Sequence, residues 1–248
     1  MTNDDIILRF RPNFIDIQDV DLLKEPLRLS SLLVYGEIHG IRENADIIYT
    51  LIHRLGIKRV AIENSPNIAE FINAASADTY DFSLIDVDTF DTSILSLEVA
   101  KTIATLVREE QIRHVEYIDT YFDTIDPSNI DHPESPQLRE QALAKNILAL
   151  DTSMPTLCLL GQWHTQTHPI DIGNGDIHHS ALYRIRQAKP DVAFVHNIYR
   201  AGSTYNDGRV LTLPTRHDVE HNFCVKQSSS IDFDLHVPEA HHSRQKMF

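Results

Sequence analysis

Apolar positions along this chain fall into two alternating kinds of segment. The runs "SLLVYGE", "IKRVAIE", "RHVEYID", "MPTLCLLG" and "DVAFVHNIYR" are short and largely apolar, and read as buried strands. Between them, "ENADIIYTLIHRLG" sets Ile47, Ile48, Leu51, Ile52 and Leu55 at helical spacing, with Gly56 as the stop. "NSPNIAEFINAAS", "SILSLEVAKTIATLVREEQ", "PQLREQALAKNILALD" and "HHSALYRIRQAKP" read as further helices. Two stretches break the pattern. "YDFSLIDVDTFDTS" is acidic and irregular and belongs on the surface. "TYFDTIDPSNIDHPESP" is polar, proline-rich and long for a loop, as a lid would be. "RVLTLPTRH", "HNFCVKQ" and "DFDLHVPE" follow as short β or irregular pieces. Apolar strands alternating with helices predict an α/β fold: a mostly parallel central sheet with helices on both faces and an active cleft at the carboxyl ends of the strands. The 248 residues suit a single α/β domain over 1–248, with a motif-bearing core at about 31–200 and a β-rich extension at about 205–240.

The strand ends are therefore where chemistry is expected. They carry Glu37 and His39, then Glu63, then Glu116 or Asp119, then His164, then His196. Strand alternation puts Glu37 and His39 on one side. A carboxylate beside an imidazole raises its basicity and fixes its tautomer, which suits a general base acting on water. The same pair suits metal ligation, and His39, His164, Glu37 and Glu63 offer nitrogen and oxygen donors fit for zinc or manganese. Gly36-Glu37-Ile38-His39 is answered by Gly161-Gln162-Trp163-His164. Each glycine is expected to release the chain from its strand through unusual dihedrals, carrying His39 and His164 into one cleft. Trp163, the single tryptophan, either walls that cleft or packs. No Gly-x-Ser-x-Gly is present, which argues against a serine esterase of the α/β-hydrolase type.

Charge narrows the partners. A formal net charge of -14 speaks against nucleic acid and against an anionic membrane surface, leaving a small-molecule or peptide substrate. Two cysteines are too few for a disulfide framework, and Cys158 lies in an apolar run. "MTNDDIILRFRP" lacks the form of a signal peptide, so a cytoplasmic location is expected. Of 14 histidines, the pairs His178-His179 and His241-His242 read as solvated surface.

Taken in order, "YGEIHGIRENA", "VAIE", "YID", "LREQALAKNI" and "LLGQWH" resemble the superfamily that joins erythromycin-esterase-like proteins, TraB/Tiki proteins and ChaN-type haem-uptake lipoproteins. The match runs from about Leu32 to His164. The resemblance implies an α/β fold, with hydrolytic chemistry in the esterase and Tiki branches, metal dependence in the Tiki branch, and haem binding in the ChaN branch. It implies His39 as base or ligand, Glu37 as its partner, and Glu63, Arg139 and His164 completing the site. Arg139 would hold a substrate anion or an oxyanion, with Arg42 a second candidate. The strand-end pattern itself adds Asp119 and Trp163 as candidates to line the substrate. The alternative is a non-enzymatic module of the ChaN type that binds haem or another flat cofactor, for which the chain offers Tyr35, Tyr121, Trp163 and the histidines. Two departures bear on this. The macrolide esterases have one more residue between the motif glutamate and histidine, and the chain is shorter than they are. Both argue against a macrolide substrate, and the lack of a lipoprotein signal argues against haem transport.

Overall fold

Why the strands are apolar on both sides is answered by their neighbours. The computed structural model describes residues 10–64, 68–76, 95–121, 135–173, 175–206, 209–213, 221–227 and 231–242. Strands β1 (Leu32–Glu37), β2 (Arg59–Ile62), β3 (His114–Tyr117), β4 (Thr156–Gly161), β7 (Ala193–Tyr199), β10 (Phe223–Lys226) and β11 (Asp232–Val237) form a seven-stranded sheet in the order β10-β11-β7-β1-β4-β2-β3. Every pairing is parallel except that of edge strand β10 with β11. Strands β5 (Ile170–Asp171) and β6 (Ile177–His178) pair separately, as do β8 (Gly202–Asn206) and β9 (Arg209–Leu213). The expected α/β fold is the one found.

Helices cover both faces. α1 (Lys24–Ser30), α2 (Glu43–Leu55), α3 (Ala69–Ser76) and α4 (Leu97–Arg108) pack in one layer, and α5 (Ser135–Leu148) and α6 (Ala181–Ala188) in the other. Strand alternation sorts the core between them. Leu33 and Tyr35 of β1 join the first layer, while Leu32 and Val34 join the second. All six residues of β1 and of β4 are buried, as central strands require. α2 stops where expected: Gly56 takes φ 65° and its N–H returns to Ile52. α1 leaves no mark in the sequence pattern, because its seven residues bury little beyond Leu27. The acidic stretch 80–93 and most of the proline-rich loop, 122–134, lie outside the described residues.

Two features of this topology make the site. The chain leaves β1 towards β2, but leaves β4 across β1 towards β7, so the connections diverge between these neighbours. In that pairing Glu37 stands opposite Gly161. The last two strands are built into the main sheet, β11 lying beside β7.

An unusual backbone turn is not what the two glycines supply. Gly161 sits at φ -59°, ψ 149°, and Gly36 has no positive φ. What they supply is space. A Cβ on Gly36 would lie 2.7 Å from the Phe194 ring and 2.9 Å from Thr165 Oγ1. A Cβ on Gly161 would overlap His39 Nε2, far inside contact distance. Each glycine lets another side chain rest on a strand end. His196 also differs from expectation: it lies within β7, three residues before the strand stops, with its ring facing Gln162.

Candidate active site

Three strand ends and one helix meet in a cluster of buried charge. Glu63 follows β2, Asp119 follows β3, and His164 lies in the 3₁₀ turn Gln162–Thr165 after β4. Glu116 stays inside β3, where Arg59 approaches it at 3.5 Å, so Asp119 is the carboxylate that β3 contributes. Arg139 and Glu140 arrive from α5. Arg139 donates Nε–H and Nη2–H to Asp119 Oδ2 at 3.0 and 2.6 Å, and Nη2–H to Glu63 Oε1 at 2.8 Å. The other Glu63 oxygen accepts the Gly161 N–H at 2.6 Å, tying the carboxylate to β4. Glu63 and Asp119 are each 4 % exposed. Ions so far from water need compensation, and the guanidinium fork supplies it to both carboxylates.

His164 is held between two carboxylates. Its Nε2 lies 3.0 Å from Glu63 Oε1 and its Nδ1 2.7 Å from Glu140 Oε1. Arg139 Nη1 also approaches Nε2, at 3.2 Å. A proton on each ring nitrogen satisfies both carboxylates, and the arginine is then a neighbouring cation. Burial disfavours this imidazolium, but Glu63 and Glu140 outweigh it and push the pKa up to about 9. His164 is therefore a fixed cation near neutral pH. For Glu63, burial favours the neutral acid, but His164, His39 and Arg139 hold its pKa down at about 2. No sequence pattern marks Glu140. It is 1 % exposed and its second oxygen accepts the Ala181 N–H at 2.6 Å, at the N-terminus of α6.

These shifts fix a stability profile. His164, with a pKa raised from 6.5 to about 9, stabilises fully below pH 6.5, and that contribution is lost as pH rises through 9. Glu63, lowered from 4.5 to about 2, stabilises fully above pH 4.5, and that contribution is lost as pH falls. Thermal unfolding should therefore plateau between pH 4.5 and 6.5 and decline on either side. The His164 share of the alkaline decline amounts to at most about 3 kcal/mol, and His164→Gln should remove that share while His39, whose pKa is also raised, keeps its own. A variant that retains the full decline would remove this account.

His39 differs in being reachable. β1 ends at Glu37, so His39 lies in the turn beyond the strand, its ring over Gly161. Its side chain is 19 % exposed, against 6 % for His164. Nδ1 lies 3.2 Å from Glu37 Oε1, off the axis of a good hydrogen bond. Nε2 has no hydrogen-bond partner among the described residues. Burial works against its cation, but Glu37 and then Glu63 prevail and the pKa is raised. His164 acts on His39 as a like charge, so the two rings share one electrostatic site.

Glu37 is placed by a second network that no motif announces. Asn44 on α2 donates Nδ2–H to the Ile38 carbonyl at 2.9 Å and to Glu37 Oε2 at 3.4 Å. Its Oδ1 accepts from the hydroxyls of Tyr35 at 3.1 Å and Tyr199 at 2.8 Å, and from Asn197. Thr204 donates to the His39 carbonyl, fixing the turn from the β8 side.

The remaining candidates scatter. Trp163 is half exposed and lies over His178, ring centroids 4.7 Å apart. His178 is expected at the surface but is 1 % exposed, 3.4 Å from Glu140 and 3.1 Å from Gln137. Strand β6 folds it inward beneath the tryptophan. Arg42 opens α2, and its backbone N–H bonds the His241 carbonyl. Tyr35 is fully buried in the Asn44 network, and Tyr121 is buried too. Among the described residues no group of three or more His, Cys, Asp or Glu is arranged to hold a metal ion. The geometry gives the reason: the Arg139 guanidinium bonds Glu63 and Asp119 and faces His164, so a permanent cation stands among the donors. The residues as arranged do not fit a divalent metal.

No protein-family model and no curated protein sequence matches the chain. Solved structures do. A succinoglycan biosynthesis protein aligns over 91 % of this chain and 92 % of its own, with TM-score 0.61 and 10 % identity. The two share a fold. The C-terminal region of Pasteurella multocida toxin, described as having a thiol-protease-like catalytic triad, matches with TM-score 0.46 and 10 % identity, over 86 % of this chain and 28 % of that one. ChaN of Campylobacter jejuni, which binds haem cofacially, matches with TM-score 0.39 and 12 % identity, over 80 % and 87 %. Among the described residues no helix is long and apolar enough to cross a membrane.

Proposed function

We propose that this protein is a hydrolase that cleaves an ester or amide bond in a small molecule or peptide, with His39 as the general base. One observation carries the reading: a partly exposed imidazole has its Nδ1 against a buried carboxylate and its Nε2 unpartnered among the described residues. In the neutral ring the proton sits on Nδ1, towards Glu37, and the Nε2 lone pair takes a proton from water as it attacks. Glu37 steadies the imidazolium that results, which returns the proton to the departing alcohol or amine as the C–O or C–N bond breaks. Arg139, taken up by Asp119 and Glu63, positions the floor of the site with His164. A net charge of -14 makes nucleic acid a poor substrate.

A panel of nitrophenyl esters and peptide amides tests this. Turnover should fall by about 10² to 10⁴ in His39→Ala while the fold persists. Equal turnover in parent and variant would end the proposal. The pH profile gives an independent reading. A base must be neutral to act, and His39 has a raised pKa, so turnover should rise with pH along a limb above the ordinary histidine range. Glu37→Gln removes the charge that raises it and should move the limb towards acid. A limb that stays in place would take Glu37 out of this role.

A further inference from the structure

Behind the turn that carries His164 lies a cavity of about 260 Å³. Its lining has a consistent chemistry. Phe194 and His196, two apart on β7, face it with rings 23° from parallel and centroids 6.0 Å apart. Gln162, Gln166, Gln227 and Thr165 surround that shelf. Two of the amides are oriented by the protein through one N–H each. Gln166 donates to the Gln162 carbonyl at 3.0 Å, and Gln227 donates to Asp234 at 2.8 Å. Since both partners are oxygens, the donor in each case is the amide nitrogen. The amide carbonyl oxygens of Gln166 and Gln227 are left without partners among the described residues. Thr165 likewise donates its hydroxyl to the Gln162 carbonyl, at 3.0 Å.

From this we infer that the cavity binds a neutral polyhydroxylated ring, a sugar or cyclitol. Three exclusions lead there. No lysine or arginine lines the cavity and the chain is strongly acidic, so an anion has nothing to hold it. Only one lining residue, Phe194, is apolar, so a hydrocarbon would strand the amides. The lining carboxylate, Asp232, is already paired with Arg186, so a cationic amine lacks its counter-charge. What remains is a ligand that donates hydrogen bonds from its rim and lays a C–H face on an aromatic shelf. Ring polyols do both.

The test is equilibrium titration of the whole protein, by NMR or calorimetry, with myo-inositol and the methyl glycosides of glucose, galactose and mannose. Inorganic phosphate and butylamine are the opposing probes. At least one polyol should bind in the millimolar range. Gln166→Leu and Gln227→Leu should each weaken that binding roughly five- to tenfold. Gln227 is exposed, so its variant keeps the fold even where the other is damaged. Binding by none of the polyols, preference for phosphate or butylamine, or unchanged affinity in the folded leucine variants would each overturn the inference. The titration is repeated in His39→Ala, where affinity should match the parent. Its outcome is therefore separate from that of the hydrolase reading.

Discussion

Arg139→Ala is expected to cost about 3–5 kcal/mol of folding stability near neutral pH. The variant takes from Glu63 and Asp119, both buried, the guanidinium that each of them bonds, and leaves Glu63 with His164 and the Gly161 N–H. The loss should shrink as pH falls. In the variant, one of the cations that hold the Glu63 carboxyl down is gone and burial favours its neutral acid, so protonation relieves the penalty at a pH where the parent's Glu63, with its pKa at about 2, is still ionised. Urea unfolding of both proteins at neutral pH and near the ordinary carboxylate range measures this. A neutral-pH loss below about 1 kcal/mol would make Arg139 equivalent to a surface ion pair. A loss that does not narrow in acid would assign the cost to packing.

The second large effect falls on chemistry and leaves the fold in place. Gly161→Ala sets a methyl where His39 Nε2 now rests, an overlap that the histidine ring relieves by moving away. Nothing in the strand's dihedrals resists alanine at φ -59°, ψ 149°. Turnover should therefore fall by about 10² or more, with stability changed by less than about 2 kcal/mol. Circular dichroism with the ester panel separates the two. Full activity in Gly161→Ala would mean that His39 works from somewhere else.

Much of this is legible in the sequence because of topology. Where apolar strands alternate with helices, the carboxyl ends face one edge, so Glu37, Glu63, His164 and one of Glu116 and Asp119 can be gathered from the pattern alone. Arg139 requires the resemblance, because a helical arginine with acidic neighbours otherwise reads as surface. Glu140 escapes because its burial depends on where α6 begins, at Ala181, far along the chain. The Asn44 hub escapes for a similar reason: Tyr35, Asn197 and Tyr199 converge on it only once β7 lies beside β1. His178 reads wrongly as surface because a two-residue strand turns it under Trp163, and so short a strand leaves no periodic trace. The two glycines stand out in the sequence for a cause the structure replaces. Their pattern marks a turn equally well whether the need is an unusual dihedral or an empty Cβ site.

The place of β1 in the sheet has a consequence for how the chain is made. Both of its flanks are filled by segments synthesised much later, Thr156–Gly161 on one side and Ala193–Tyr199 on the other. A ribosome that has released β1 and α2 has produced a strand with two open edges and no partner. Contacts so distant in sequence raise the contact order and slow folding, and they leave an apolar strand in need of protection while synthesis proceeds. The candidate site, whose first wall is the end of that strand, comes into existence only after β4 arrives.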